Sequence, residues 1–290
     1  MDLTAAPSSP SPRRLWALFE PVHAVTYFAP QARQAFEGAG LRGFWRGYFA
    51  GRSAPLGAVN AAPVTALFYG FAAEMVARAL PQVWSVAAPD AVLLARREGS
   101  RAALEALRPG LGADQLAEAA GLARAAALAG ETGGRALAAA NAAVGWPEHP
   151  LDVLWQAATV LREHRGDGHV AALATHSVSG LEALVLRAGS DLARAVLQPA
   201  RGWSDGQWDA AAATLRGRGL LDGDGRLTSA GGGLLQDVEA VTDQLAAQPW
   251  AMIGTDAAAR FADLIVPLSR AAAAVLPRQT PIGLPDSCDL

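Results

Sequence analysis

Apolar residues recur every three or four positions along most of the chain, and this period predicts one helix after another. RRLWALFEPVHAVTY, residues 13–27, sets Trp16, Phe19, His23 and Tyr27 at helical spacing, with Pro21 as an early irregularity. PQARQAFEGAG, 30–40, opens on a first-turn proline and ends at glycine. Residues 41–84 are aromatic-rich, and RSAPLG (52–57) reads as a turn between two helices. DAVLLARREGSRAALEAL (90–107) and GADQLAEAAGLARAAALA (112–129) each show an apolar stripe with charges opposite. GWPEHP, 145–150, has the composition of a boundary.

The second half reads differently. LDVLWQAATVLREH, 151–164, predicts an amphipathic helix, and the two glycines of RGDG (165–168) predict a break after it. Ser204 or Asp205 caps a helix through about 216. GLL and GRLT are two short strand-like runs around DGDG, a hairpin-turn sequence, and a helix follows. Helix, small antiparallel ribbon, helix is the order of a winged helix-turn-helix. The fold class expected is therefore mainly α: a helical N-terminal region plus a winged helix-turn-helix with a small β-hairpin wing. Its parts are a tail at 1–12, a helical region with an aromatic pocket at 13–145, a winged-helix region at 151–250, a closing helix at 251–278, and a tail at 279–290.

Composition sharpens this picture. Hydrophobic residues make up 51% of 290 and charged residues 18%, so the chain can build a substantial core. The basic residues are all arginine, and the net charge of −3 advertises no basic face for a polyanion. The one cysteine, Cys288, is close to the end, so no disulfide framework or cysteine metal cluster is expected. MDLTAAPSSPSPRR lacks an apolar core and reads as a tail rather than a signal peptide. No apolar run approaches the ~20 residues of a membrane span. A cytoplasmic protein without a membrane partner is the expectation.

LRGRGLLDGDGRLTSAGGGLL looks like the pattern of MarR-like winged-helix regulators. The set YFAGRSAPLG, LREHRGDGHVAAL, RGWSDGQWDAA and GLLDGDGRLTSAG more closely resembles an actinobacterial family described as helix-turn-helix, over about residues 15–250. The resemblance implies a winged-helix scaffold, and a fold alone does not fix a function. The helix that would enter a DNA groove offers Asp205, Gln207 and Asp209 in its first turn, and carboxylates are repelled by phosphates. The wing DGDGR carries two acids to one arginine. DNA is therefore the disfavoured partner.

Chemistry concentrates at LREHRGDGHVAALATH, 161–176, which holds three of the five histidines, two acids and two arginines. His164 or His169 beside Glu163 or Asp167 gives an imidazole near neutrality with an orienting carboxylate. The same residues could ligate zinc or iron, although four residues between the histidines is not the usual on-helix spacing. They could equally be structural, with Asp167 capping a helix and Glu163 pairing with a neighbouring arginine. His23 lies on the aromatic face of the first helix, as a buried hydrogen-bonded residue or as a haem, metal or proton ligand. Arg52 could hold a carboxylate or phosphate, or pair with Glu37 or Glu74. Phe44, Tyr48, Phe68 and Tyr69 are core residues or the lining of an apolar pocket.

Three functions follow, the last of them a structural or partner-binding module with no chemistry. The first is a small-molecule-binding protein on a repurposed winged-helix scaffold, up to an enzyme of specialised metabolism acting on an apolar or aromatic substrate. The second is a MarR-like, ligand-responsive regulator that binds DNA. The cofactor, if any, and a homodimer are left open.

Overall fold

The computed structural model describes residues 10–107, 110–277 and 279–283, and among these the chain is helical with no strand. Cys288 and parts of both expected tails lie outside the described residues. α1 (Pro12–Phe28) starts where the Ser11 hydroxyl accepts the Arg14 amide at 3.2 Å and a proline occupies the first turn. It runs through Pro21 and ends at Ala29, whose extended backbone suits the proline that opens α2 (Pro30–Gly38). Four short elements follow: α3 (Phe44–Ser53), a single turn at Ala54–Leu56, α4 (Ala61–Phe68) and α5 (Ala73–Ala77). Longer helices follow, α6 (Pro89–Ala106), α7 (Ala113–Ala129) and α9 (Pro150–Thr175), with the short α8 (Ala136–Ala143) between the last two. The last part holds α10 (Gly180–Ala188), α11 (Arg194–Arg201), α12 (Asp205–Gly217), α13 (Ser229–Ala246), α14 (Gln248–Ile253) and α15 (Thr255–Val275).

α9 is the axle of the molecule. It touches α1, α6, α7, α8 and α13, and every residue from Leu151 to Leu161 is buried. The expected amphipathic helix thus has no solvent face over this length. Its polar residues instead form an internal stripe. Asp152, Gln156, Thr159, Glu163 and Asp167 recur at steps of three or four and share one side. All five are buried, and each finds a partner on another helix.

The helix does not break at RGDG. Gly166 and Gly168 lie inside continuous α9. A Cβ on Gly168 would come within 2.7 Å of Arg135 Nη1 and 3.3 Å of Leu245 Cβ. The glycine is a notch into which the Arg135 side chain fits. There Arg135 donates to the carbonyls of His164 at 2.6 Å and Leu245 at 3.1 Å, which fastens α9 to α13.

Three apolar clusters surround this axle. Leu18, Trp155 and Phe261 sit in the first, between α1, α9 and α15. Tyr48, Phe49, Phe68 and Phe71 dominate the second, built from α2 to α6. Leu186, Leu197, Trp208 and Leu215 fill the third, between α10, α11 and α12. The second and third meet along Tyr69–Ala72. There the Trp203 indole donates to the Gly70 carbonyl at 2.9 Å, the Ala72 amide donates to the Arg201 carbonyl at 2.9 Å, and the Arg201 guanidinium lies 4.5 Å from the Phe71 ring centre.

The expected β-hairpin wing is absent among the described residues. GLL and GRLT meet in one isolated antiparallel bridge, Leu221 with Leu227. The local chemistry explains why. The Asp222 carboxylate accepts the amides of Asp224 and Arg226 at 2.9 Å each, drawing DGDG into a tight turn. The Leu227 amide turns away to the Gly189 carbonyl at 3.3 Å. Thr228 then caps α13 by accepting the Gly231 amide at 3.1 Å. The arms exchange two backbone bonds, the Asp222 amide to the Arg226 carbonyl at 2.9 Å and the Thr228 amide to the Leu220 carbonyl at 3.2 Å, and then run into the turn on one side and the α13 cap on the other, so nothing extends past the single bridge. Mainly α holds; a β element does not.

No single helix among the described residues is long and apolar enough to cross a membrane. α9 and α10 would suffice as a pair, but they meet at 92°, and the apolar length of α9 is packed inside the protein.

Candidate functional site

The polar stripe of α9 meets α1 and α3 at a buried cluster of charges. Arg52 on α3 makes a bidentate pair with Glu163, from Nε to Oε1 and from Nη2 to Oε2, at 2.9 Å each. Arg162 Nη1 also donates to Glu163 Oε1 at 2.9 Å, while its Nε lies 3.5 Å from Glu20 on α1. The Trp16 indole donates to the other oxygen of Glu20 at 3.0 Å. Burial pushes the Glu163 carboxyl up, but the Arg52 and Arg162 guanidiniums outweigh it and hold the group well below the usual carboxylate range. Glu163 is ionised at any physiological pH.

His23 stands beside this pair. Its Nδ1 is 3.0 Å from the Thr159 hydroxyl and its Nε2 is 3.1 Å from the Tyr27 hydroxyl. The Thr159 hydroxyl spends its proton on the Trp155 carbonyl at 2.9 Å, so it can only accept from His23. Hydrogen-bond accounting therefore assigns the proton to Nδ1 and makes Nε2 the acceptor of the Tyr27 O–H. A neutral ring is what the surroundings demand: burial, then Arg162, lowers the His23 pKa well below its ordinary value. Burial likewise raises Tyr27, which keeps its proton.

Arg96 on α6 closes the far side. Nη1 donates to the Gly51 carbonyl at 3.0 Å and Nη2 to the Asn141 side chain at 3.1 Å. Its plane lies over Trp155, 5.2 Å from the ring centre. Burial lowers its pKa to about 10, which leaves it charged.

Aromatic rings cover the mouth. Tyr48 is 5.0 Å from Tyr27, 6.2 Å from Phe44 and 6.2 Å from Phe68, centre to centre. Arg52 lies 4.1 Å above the Phe68 ring. Two small cavities adjoin. The inner one offers about 10 Å³ to the centre of a water-sized sphere and is lined by His23, Tyr48, Arg52, Arg96, Thr159 and Glu163, among others. The outer one, about 20 Å³ by the same measure, lies between Arg33, Leu41, Phe44 and Tyr48. Phe36 walls both. Its ring presses on the backbone of α3, where a Cβ on Gly51 would come within 2.6 Å and one on Gly47 within 3.2 Å of it. The two adjoin as a narrow aromatic cleft that the Phe36 ring divides, the outer part beside Phe44 and the inner part against the charges.

The structure gathers His23, Tyr48, Arg52, Phe68 and Glu163 in one place, with Phe44 at the rim and 40% exposed. It sends the others elsewhere. His164 and His169 are five residues apart on a continuous helix, which points them about 140° away from each other. His164 packs against the end of α7, and burial followed by the Arg135 charge lowers its pKa to about 4. His169 bonds to Thr242 at 3.0 Å and stands 3.7 Å from Glu239 on α13. Asp167 accepts the Ala138 amide at 3.0 Å, so it caps α8 from across the fold, and burial raises its pKa to about 6. Tyr69 donates to the Val178 carbonyl at the α10 side. No three His, Cys, Asp or Glu residues among those described converge as metal ligands would.

Sequence reasoning passed over Arg96, Arg162, Thr159 and Glu20 as site residues. For Thr159 and Arg162 the signal was the polar run Gln156, Thr159, Glu163 at steps of three or four on α9; Arg96 and Glu20, on α6 and α1, carried none.

A second candidate surface lies at the other end. α11, the turn Gly202–Trp203–Ser204, and α12 form a helix-turn-helix. Gly202 is left-handed at φ 76°, and a Cβ there would strike Met75 within 2.6 Å. Ser204 and Gln207 cap α12 reciprocally. Asp205 and Asp209 project from its first turns, 85% and 64% exposed, and both pair with Arg194 at 2.8 and 2.6 Å. From Ser179 to Thr228, Arg187, Arg194, Arg201, Arg216, Arg218 and Arg226 are matched by Glu182, Asp191, Asp205, Asp209, Asp222 and Asp224.

A family model described as a helix-turn-helix family matches residues 12–277. The chain belongs to that family. No curated protein and no solved structure matches it.

Proposed function

We propose that this chain is a small-molecule-binding protein that keeps its helix-turn-helix as a scaffold. The observation that carries this reading is the Arg52–Glu163–Arg162 cluster, buried with a neutral His23 at the inner end of an aromatic cleft. Buried ion clusters are poor stabilisers compared with apolar packing, and perturbed groups in clefts mark sites. In the enzymatic form of this reading, His23 is the imidazole placed for proton transfer, since it alone of the five histidines lines the cleft. Native mass spectrometry of the full chain as purified tests the proposal. A co-purifying molecule that is lost in Arg52→Met supports it; a bare mass at every step of gentle desolvation counts against it.

The family membership favours a second reading, a ligand-responsive regulator that binds DNA through α12, as the MarR-like resemblance implies. Arg216 at the end of α12 and Arg226 in the turn are its nearest phosphate contacts, while Arg218 is paired with Glu182 at 3.3 Å. The acidic front of α12 opposes it. Fluorescence anisotropy with labelled duplex at low salt separates the two, because phosphate contacts produce a steep salt dependence.

A further inference from the structure

The walls of the inner cavity carry more donors than acceptors. Arg96 Nε is buried and has no hydrogen-bond partner, although the residue is only 4% exposed. The Tyr48 hydroxyl accepts from Arg52 at 3.5 Å and donates to no described group. Both residues line the cavity. The neighbouring acceptors are already engaged: Glu163 by Arg52 and Arg162, His23 Nε2 by the Tyr27 hydroxyl, and Thr159 by His23. Arg96 Nε can only donate and the Tyr48 hydroxyl has a proton to give, so a ligand atom placed between them is an acceptor.

The charges lean the same way. Arg52, Arg96 and Arg162 face Glu20 and Glu163, three cations against two anions, and His23 is neutral. Arg96 is the cation without a carboxylate among its described partners. Arg96 is thus a charge held out of water with no carboxylate of its own, an arrangement that favours an incoming anion. Beyond it the walls turn apolar, with Phe36, Phe44, Leu41 and Tyr48 along the outer cavity and Arg33 at its edge.

We infer that the cleft takes a compact monoanion, a carboxylate or enolate on a small apolar body, with its negative end between Arg96 Nε and the Tyr48 hydroxyl and its body against Phe36. This deepens the small-molecule reading and rests on it. The inner cavity is the size of about one water, so admission of the body requires the Phe36 ring to leave Gly47 and Gly51 and join the two cavities.

Benzoate and its neutral isostere benzamide are the probes, titrated into the full chain by calorimetry and followed on arginine Nε–H resonances. Benzoate is expected to bind at least about tenfold more tightly than benzamide, the size of a charge-assisted hydrogen bond, and to shift one Nε–H signal that Arg96→Gln removes. Tyr48→Phe, which keeps ring and fold, is expected to weaken benzoate several-fold and to leave benzamide less affected. Equal binding of the two probes overturns the anion inference and leaves the cleft reading standing. Binding of neither overturns both. Tight benzoate binding that is unchanged in Tyr48→Phe and Arg96→Gln places the anion elsewhere and also overturns it.

Discussion

The cleft beside α9 and the front of α12 both hold arginine–carboxylate pairs, yet the two regions use them in opposite ways. At the cleft Arg52 and Glu163 are 11% and 1% exposed, and at α12 Asp205 is 85% exposed. Water and salt screen the second pair, and such surface pairs contribute little. Neither screens the first, so its members depend on each other: attraction there is strong, and an abandoned charge is costly. Charge in this protein is decorative outside and consequential inside, and a count of acids and bases cannot tell the two apart.

The sharpest way to break the contrast is to remove one member of each pair. Glu163→Ala strands two buried guanidiniums and is expected to cost about 3–5 kcal/mol of unfolding free energy, read by urea denaturation. A loss under 1 kcal/mol would mean that water reaches the cluster. Gly168→Leu comes next: it fills the Arg135 notch, and overpacking is expected to cost about 1–3 kcal/mol in the same assay. A neutral result would show that Arg135 moves aside freely.

A pH series sharpens the comparison further. The folded-state pKa of Asp167 is raised from 3.8 to about 6, so its contribution is present below pH 4 and is lost as pH rises through 6. That of His164 is lowered from 6.5 to about 4, so its contribution is present above pH 6.5 and is lost as pH falls toward 4. The two oppose each other between pH 4 and 6. Asp167→Asn is therefore expected to steepen the loss of stability on acidification, and His164→Gln to flatten it. Parallel profiles for the two variants would refute the assignment. The smallest effect belongs to the surface: Arg194→Ala is expected to leave the denaturation midpoint at 0.5 M salt indistinguishable from the parent.

Much of the fold was legible, because helix starts and stops are local chemistry. Ser204 caps α12 as its sequence predicts, and the apolar period carries through α1, α6 and α7. The wing misled because GLL and GRLT have strand composition but no length, and α13 starts from Thr228 directly after their single bridge. RGDG misled for a different reason. Glycine in a helix reads as a break when nothing shows what approaches it, and Arg135 is 33 residues away in sequence. The candidate site was half visible. His23, Tyr48, Arg52 and Glu163 stood out by type, but Arg52 and Glu163 are separated by 111 residues, and no local pattern joins them. The Arg96 charge was hidden in a helix that reads as an ordinary amphipathic one.

One consequence concerns where the protein can be cut. Backbone groups of Gly70, Ala72 and Arg201 stitch the aromatic cluster to α11, and the Arg201 cation leans on Phe71. A fragment carrying only the helix-turn-helix would expose the Trp203 indole and strip Arg201 of its aromatic rest. Whatever α12 touches, the α11 and turn that lead into it are seated on Phe71 and the aromatic cluster that also holds Tyr48 and Phe68, so excised fragments would report on a differently poised element from the one in the intact chain.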